Sequence, residues 1–285
     1  MLSKEKEKEL ALFAKEIQIK TMETIGSLGV GHAGGALSIA ELVAVLYGEA
    51  MQYRSENPNW AERDWLVVSK GHAGPAVYSA LALKEFFPLE ELSTLNRPKT
   101  HLPSHCDRNL TPGIDMTTGS LGQGASTAAG VALGFQLDQK KNHVYLILGD
   151  GEAQEGQVWE MAMFAAQHKL SNLTAFLDYN RLQLDGPIDE ICSLGDPAEK
   201  FRAFGWNVLS VDGHDVRAIA QAIDEAKFCT ENPSMIILNT IKAHGWKEME
   251  NQTGSHCPTV SQEQLQKTVS DLQAEYREMK EEICL

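Results

Sequence analysis

Apolar and polar positions follow two alternating periods along the second half of the chain. Short apolar runs that end in turn residues lie at 143–150, 173–180, 204–213 and 234–241. Segments with the 3.6-residue spacing of amphipathic helices separate these runs, as at 156–170. Strands that alternate with helices predict a mostly parallel sheet with helices on both faces. The pattern therefore predicts a doubly wound α/β fold.

The first half of the chain predicts mostly helices. Residues 4–25 carry an apolar stripe at helical spacing, and Gly26 is expected to end that helix. Further apolar helices are predicted at 36–51 and 75–87, and a charged amphipathic helix at 261–280. With no repeat or linker to divide it, the chain is expected to form a single domain over residues 1–285.

A glycine-rich segment, 120–135, also predicts a helix although it contains four glycines. Each glycine costs about 1 kcal/mol relative to alanine in a helix interior. Either close packing of a neighbouring helix or approach of a ligand to the backbone would offset that cost. The order Gly119, Gly122, Gly124 is the reverse of the dinucleotide fingerprint, so a Rossmann nucleotide site is not predicted.

Composition and charge narrow the classes of partner. The 285 residues are 43% hydrophobic, as in ordinary globular proteins, and the formal net charge is −14. Such an acidic chain is not expected to bind nucleic acid or an anionic membrane. The charged N-terminus is unlike a signal peptide, and the five cysteines are an odd number, so reduced thiols and a cytoplasmic location are expected.

The strongest chemical signal is the sequence GDGE at 149–152. Asp150 follows one predicted strand and Asn180 follows the next, so both are expected at the carboxyl edge of the sheet. Carboxylate and amide oxygens are hard ligands suited to Mg²⁺ or Ca²⁺, with a phosphate compound completing the shell. The alternative is an ordinary turn, with Asp150 as a helix cap and Asn180 as a turn residue.

Four histidines lie beside small or turn residues. They are His32, His72, His105 and His256. Neutral imidazoles can donate to phosphate or relay protons near pH 7, so a shared site is predicted. Two Ser-His-Cys tripeptides, which contain His105 and His256, suggest zinc as an alternative, but they lack the paired spacing of a structural zinc motif.

These motifs together resemble the thiamine diphosphate-dependent transketolases. The resemblance extends over nearly the whole chain, through GHAGGALS, SKGHAGPAVYS, LPSHCD, TTGSLGQG, GDGEAQEG and DYNRLQLDG. It covers the first part of a full-length transketolase, the thiamine diphosphate-binding region that holds the diphosphate. The resemblance implies the N-terminal subunit of a transketolase split into two polypeptides.

The resemblance implies a role for each matched residue. Asp150, Asn180 and the carbonyl of Leu182 correspond to the ligands of Mg²⁺, for which Ca²⁺ or Mn²⁺ can substitute. Gly151 and His72 correspond to contacts of the diphosphate.

Further matched residues are implied to lie around the rings of the cofactor and the substrate. Gly119 and Leu121 correspond to the loop that lines the thiazolium and pyrimidine rings, and Glu155 to an acid buried near the subunit contact. The implied catalytic histidines are His32, His105 and His256, with His256 also touching the diphosphate and His244 as its rival.

The sequence departs from the family pattern at two places that are expected to lie at the entrance of the substrate site. The family commonly has Gly-His-Pro where this chain has Ser104-His105-Cys106, and His-Gly where it has His256-Cys257. The donor sugar therefore stays open, with xylulose 5-phosphate and branched or sulfonated ketoses as alternatives.

The implied reaction moves a two-carbon ketol unit from a ketose donor to an aldose phosphate, with His32 accepting a proton and His256 assisting. The resemblance implies that a separate C-terminal polypeptide supplies the pyrimidine-binding glutamate, in an α2β2 assembly. The alternatives are a 1-deoxyxylulose-phosphate synthase fragment, the α subunit of a 2-oxo acid dehydrogenase, and a non-catalytic homologue.

Overall fold

Five parallel strands form one sheet in a computed structural model that describes residues 2–281. The strand order is β1-β2-β3-β5-β4, and every neighbouring pair is parallel. The predicted parallel α/β sheet is therefore confirmed. The strands are β1 (Trp65–Val68), β2 (Val144–Gly149), β3 (Leu173–Tyr179), β4 (Asn207–Asp212) and β5 (Ser234–Asn239).

Ten α-helices of the described residues surround this sheet, together with one π-helical turn at Leu46–Ala50 and several short 3-10 turns. The helices are α1 (Lys4–Leu28), α2 (Ala33–Leu37), α3 (Ala40–Val45), α4 (Gly74–Leu83), α5 (Gln123–Leu137), α6 (Gly156–Gln167), α7 (Ile188–Cys192), α8 (Pro197–Ala203), α9 (Val216–Phe228) and α10 (Gln262–Glu281).

The sheet separates two apolar cores. One core joins the sheet to α1, α3, α4 and α9, and the other joins it to α5, α6 and α8. In α6 the buried residues are Val158, Met161, Ala162 and Ala165, which are the apolar stripe that the sequence predicts. Burying a Val- or Met-sized side chain contributes about 1.5–3 kcal/mol, so such stripes hold the helices on the sheet.

The N-terminal helix does not end where the sequence predicts. Helix α1 continues through Gly26 to Leu28, and Gly29 ends it in a left-handed conformation with φ of 85°. A Cβ at Gly26 would lie 2.4 Å from the side chain of Leu265 in α10. Gly26 thus provides the close approach of α10, and Gly29 is the residue that terminates the helix.

The expected reason for the glycines of α5 is only partly right. A Cβ at Gly124 would meet Ser69, 2.5 Å away, so that glycine does allow a close approach, although of a loop rather than a helix. Apart from the adjoining residues and backbone of α5 itself, no atom of residues 2–281 lies within 4 Å of a Cβ built at Gly130 or Gly134. The prediction of helix packing is wrong for these two positions within this chain.

One predicted helix is broken in the structure, and one strand of the structure is not predicted from the sequence. The predicted helix at 36–51 is broken near Ser38, between α2 and α3. The sequence pattern does not predict strand β1, because WLVV is a run of only four residues.

The cysteines described by the structure, Cys106, Cys192, Cys229 and Cys257, are free thiols; Cys284 lies outside the described residues. Among the helices of residues 2–281, none is both long and apolar enough to cross a membrane.

Candidate functional site

A cavity of about 410 Å³ lies at the carboxyl edge of the sheet. Because β1, β2, β3 and β5 are parallel, the loops that follow them meet at this edge. Ten of the residues singled out from the sequence line the cavity: His72, His105, Gly119, Leu121, Asp150, Gly151, Glu155, Asn180, Leu182 and His256.

Asp150 lies at the end of β2 with only 3% of its surface exposed. One carboxylate oxygen, Oδ1, accepts a hydrogen bond from the Gly151 N–H (2.8 Å), and Oδ2 accepts one from the Arg181 N–H (2.5 Å). Burial, reinforced by the charge of Asp178, raises the pKa of Asp150 to about 7. A cation beside this carboxylate would favour its charged form.

Asn180 and Leu182 lie on a strained turn at the same cavity. The Asn180 amide oxygen accepts a hydrogen bond from the Leu182 N–H (3.0 Å). Between them Arg181 has a positive φ of 63°, a conformation that non-glycine residues rarely adopt. The hydrogen bond from the Arg181 N–H to Asp150 holds this turn against the Asp150 carboxylate.

The oxygen donors fit a hard divalent cation. One carboxylate, one amide oxygen and one backbone carbonyl, from Asp150, Asn180 and Leu182, are of the types that Mg²⁺ and Ca²⁺ bind. A phosphate compound would complete the shell, and the Gly151 backbone lies at the same wall. A Cβ at Gly151 would lie 3.0 Å from the Gln183 side chain, so a larger residue would crowd this close contact.

Two lysines line the cavity that the sequence pattern does not predict there. Lys242 donates from Nζ to the carbonyl oxygens of Leu182 (2.9 Å) and Gln183 (3.2 Å). Burial lowers the pKa of Lys242 to about 8. The second lysine, Lys70, comes from the loop after β1 and is 2% exposed. The wall of the cavity therefore contains two lysine side chains, although the loop that contains Asp150 has none.

Lys70 forms a buried ion pair with Asp178, with 2.6 Å between Nζ and Oδ2. Burial alone would raise the pKa of Asp178, but the charge of Lys70 and several hydrogen bonds together lower it below its ordinary value. Lys70 also donates to the carbonyl of Gly35 (2.8 Å). A sequence signal exists for Lys70, since it stands two residues before His72 in the motif SKGHAGP.

The four predicted histidines form one cluster. The ring of His32 lies 5.3 Å from that of His72, 5.5 Å from His105 and 5.4 Å from His256, measured between centroids. His72 and His256 are 5.1 Å apart. His32 does not line the cavity itself, but it contacts all three rings that do.

Burial shifts the titration of the whole histidine cluster downward. Burial lowers the pKa of His32 and of His105, and the pKa of His72 lies well below its ordinary value. For His256, burial followed by the charge of Lys242 lowers the pKa to about 4. Each ring is therefore neutral near pH 7, with one nitrogen able to donate and one able to accept a proton.

Gly119 makes room for His105. It has a positive φ of 137°, and a Cβ there would lie 2.7 Å from Cδ2 of His105. Nearby, Glu152 is buried and accepts hydrogen bonds from the Gly122 N–H (2.9 Å) and from the Ser69 hydroxyl. The sequence assigns Glu152 no role of its own within GDGE, but its hydrogen bond to Gly122 connects the loop before α5 to the loop after β2.

The remaining predicted residues lie at the rim of the cavity or away from it. Leu121 is 37% exposed, and Glu155, which the resemblance implies to be buried near a subunit contact, is exposed in this chain. His256 belongs to the cluster, whereas its rival His244 stacks on His214 with 3.8 Å between ring centroids.

Glu41, His214 and His244 form a group whose ligand atoms lie within 4.8 Å of one another. Nε2 of His214 accepts the Ile241 N–H (2.8 Å), which leaves its proton on Nδ1, facing Glu41 at 3.1 Å. The rings of His214 and His244 are also stacked, with only 30° between their planes, so the nitrogen lone pairs of the two rings lie in nearly parallel planes. Both features disfavour a shared metal ion. The suggested zinc site with Cys106 or Cys257 is not found among the described residues.

Comparison with known proteins identifies relatives of this chain. Residues 10–281 match the family described as transketolase, thiamine diphosphate binding domain. The chain is 53% identical over 262 residues to the 6-deoxy-6-sulfo-D-fructose transketolase subunit SqwG of Clostridium sp. (strain MSTE9), covering 92% of this chain and 95% of that one. It is 32% identical to an apulose-4-phosphate transketolase subunit of Phocaeicola vulgatus, covering 96% and 97%.

Longer relatives match over part of their length. The chain is 34% identical to human transketolase, covering 94% of this chain and 42% of that protein. A crystal structure of a transketolase mutant from Pichia stipitis with fructose 6-phosphate superposes with a TM-score of 0.85 at 27% identity, covering 96% of this chain and 44% of that chain. This chain thus spans less than half the length of these transketolases.

Proposed function

This chain belongs to the transketolase family, whose thiamine diphosphate-binding domain it contains, and we propose that it is the cofactor-anchoring subunit of a two-chain transketolase. The reaction is the transfer of a two-carbon ketol unit from a ketose to an aldose phosphate. One observation carries the proposal: oxygen donors for a cation and three neutral histidines line one cavity, and a fourth histidine, His32, contacts all three rings.

Residues of this chain would hold the cofactor through its diphosphate. Asp150, Asn180 and the Leu182 carbonyl are proposed to bind Mg²⁺, and the Gly151 N–H and His72 to bind the diphosphate. Gly119 and Leu121 are proposed to line the rings, and Glu155 to lie at the subunit contact. When bound, thiamine diphosphate supplies a carbon nucleophile and an electron sink for breaking the carbon–carbon bond of the donor.

The histidine cluster supplies acid–base chemistry. His32 is proposed to accept the proton of a donor hydroxyl, with His256 assisting and His105 binding a terminal hydroxyl. Burial keeps the three imidazoles neutral near pH 7, the state in which each can accept a proton, because it lowers the pKa of all three. General acid–base catalysis of this kind contributes about 10²–10⁴-fold.

The partner is proposed to be a separate polypeptide that corresponds to the remainder of a full-length transketolase. Two relatives are themselves named as subunits, and this chain matches 95% and 97% of their lengths. The partner would supply the pyrimidine-binding glutamate, in an α2β2 complex acting on sugar phosphates in the cytoplasm.

A sulfonated ketose is the favoured donor among the alternatives. The relative with 53% identity is named for 6-deoxy-6-sulfo-D-fructose. A relative named for apulose 4-phosphate is only 32% identical. The sulfonated sugar is therefore the first donor to test, before xylulose 5-phosphate and branched sugars.

The experiment assays ketol transfer by this chain alone, by a co-expressed candidate partner alone, and by the two mixed, with thiamine diphosphate and Mg²⁺. Only the mixture is expected to turn over, fastest with 6-deoxy-6-sulfo-D-fructose. Turnover by this chain alone would contradict the two-chain proposal, and no turnover of any donor by a stable complex would favour a non-catalytic homologue. Pyruvate as the better donor would favour a 2-oxo acid or deoxyxylulose-phosphate enzyme.

A further inference from the structure

Asp178 is a buried carboxylate at the end of β3, two residues before Asn180. Its Oδ2 accepts hydrogen bonds from Lys70 Nζ (2.6 Å), Ser38 Oγ (2.6 Å) and Asn180 Nδ2 (3.0 Å). Its Oδ1 accepts one from Thr240 Oγ1 (2.5 Å). Donors from four different segments therefore converge on one carboxylate.

These bonds saturate one oxygen of Asp178. Each carboxylate oxygen offers about two lone-pair positions, and Oδ2 has three donors whereas Oδ1 has one. Asp178 lies at the wall of the same cavity as Asp150, but the oxygen that is bonded to Asn180 is fully occupied by donors. The effect of Asp178 on Asn180 therefore acts through this hydrogen bond.

Asp178 and the Leu182 N–H together set the orientation of the Asn180 amide. The two ends of an amide have nearly the same shape, so only their hydrogen-bond partners set its orientation. An ionised carboxylate can only accept, so the Asn180 amide must turn Nδ2 toward Asp178. The amide oxygen then points to the other side, where it accepts the Leu182 N–H.

We propose that Asp178 is a positioning residue for the cation site, which presents the oxygen of the Asn180 amide, and not its nitrogen, to a bound divalent cation. This inference rests on the proposed function, because it takes Asn180 to be a cation ligand. Lys70 supports the arrangement, since its ion pair keeps the Asp178 carboxylate in its charged, acceptor-only form.

The rival explanation is that Asp178 only ties the loops together. Thr240 provides the matched control, because Thr240→Val is close in shape and also removes one hydrogen bond to Asp178. That bond is to Oδ1, whereas Asn180 is bound to Oδ2. A purely structural role predicts similar effects of Thr240→Val and Asp178→Asn on cation affinity. A positioning role predicts an effect of Asp178→Asn alone.

The test measures Mn²⁺ affinity by electron paramagnetic resonance of the complex of this chain with its candidate partner, with thiamine diphosphate, alongside thermal unfolding of each variant. We expect Asp178→Asn to weaken Mn²⁺ binding by about 10–100-fold, as is typical for groups that orient a metal ligand. Thr240→Val is expected to stay within about twofold of the wild type. Equal Mn²⁺ affinity of Asp178→Asn and wild type would overturn this inference alone, whereas no Mn²⁺ binding by the wild type would overturn the proposed function.

A second pair of variants covers the case in which Asp178→Asn fails to fold. Asn180→Asp adds a carboxylate ligand but places it beside the Asp178 carboxylate, so weaker Mn²⁺ binding is expected. The exchange variant, Asp178→Asn with Asn180→Asp, restores a donor–acceptor pair and should recover binding. If Asn180→Asp binds Mn²⁺ as tightly as the wild type, or if an exchange variant that unfolds at the wild-type temperature recovers no Mn²⁺ binding, the positioning role is wrong.

Discussion

The rings of His32 and His256 meet almost at right angles, with centroids 5.4 Å apart and planes inclined by 86°. His32 stands just before α2 near the start of the chain, and His256 stands shortly before α10 near its end. Their contact therefore joins two distant parts of the sequence within the histidine cluster. His32 contacts each of the other three rings of the cluster directly.

Replacing His32 should affect turnover more than folding. We expect His32→Gln to lower kcat of the complete enzyme by about 10²–10⁴-fold, because the side chain proposed to accept the donor proton is lost. Steady-state kinetics with the preferred ketose gives the measurement. His168→Gln, which changes an exposed histidine at the end of α6, is the control and should leave kcat unchanged. A His32→Gln enzyme with wild-type kcat would remove His32 from the mechanism.

Gly119→Ala should displace His105. The new Cβ would lie 2.7 Å from the His105 ring, and alanine is strained at a φ of 137°. We expect a clear loss of transferase activity and a loss of stability of about 1 kcal/mol or more.

A matched glycine variant checks this result. Gly134→Ala lies in helix α5, and apart from the adjoining residues and backbone of that helix no atom of residues 2–281 lies within 4 Å of the new Cβ. Denaturant unfolding of the chain should show this variant stabilised by up to about 1 kcal/mol, the helix preference for alanine. If both glycine variants shift stability in the same direction, the steric argument for Gly119 fails.

Asp150→Ala should abolish Mg²⁺-dependent binding of thiamine diphosphate, because it removes the one carboxylate of the proposed ligand set. Calorimetric titration of the assembled two-chain complex with thiamine diphosphate, with and without Mg²⁺, measures the effect. Asp138→Ala, which removes the same charge from the exposed end of α5, should bind like the wild type. Unchanged affinity in Asp150→Ala would refute the proposed anchor.

His143 should make the fold sensitive to acid. Burial lowers the pKa of His143 to about 3, whereas an unfolded histidine titrates near 6.5. The folded state therefore binds fewer protons between these values. The stability that depends on neutral His143 is complete above about pH 6.5 and is lost as the pH falls toward 3, by at most about 1.4 kcal/mol per pH unit.

The measurement compares the free energy of unfolding of wild type and His143→Gln between pH 7 and pH 5. Other buried histidines contribute equally to both proteins and cancel in the comparison. The wild type should lose more stability than His143→Gln over this interval. Parallel curves would mean that His143 stays accessible to protons, despite its hydrogen bond to Thr174.

The sequence predicts the sheet and the strand-end residues well for a physical reason. Apolar runs such as 143–150 end in turn residues, and parallel strands bring such ends together, so Asp150 and Asn180 can be placed at one edge in advance. The apolar pattern does not place Lys70 or Lys242 there, because a lysine ordinarily indicates an exposed position; only the nearness of Lys70 to His72 in the sequence points to the site. Their burial depends on Asp178 and on the Leu182 carbonyl, partners that only the folded chain brings near.

Glycines show the same limit. A glycine that ends a helix and one that admits a neighbour look alike in a sequence, so the sequence predicts the wrong role for Gly26. The side chain of Leu265, which approaches it, is more than two hundred residues away along the chain. Whether a glycine ends a helix or makes room for a neighbouring side chain therefore depends on long-range contacts of this kind.

The strand order has a consequence for how the molecule can be made. β5 lies between β3 and β4, so β4 has no neighbour in the sheet until β5, which follows it in the chain, has been inserted. When only β1 to β4 have been synthesised, the sheet can therefore contain β1, β2 and β3, and β4 is still unpaired. Because the Thr240 and Lys242 contacts follow β5 directly, the cavity becomes whole only after that late insertion during translation.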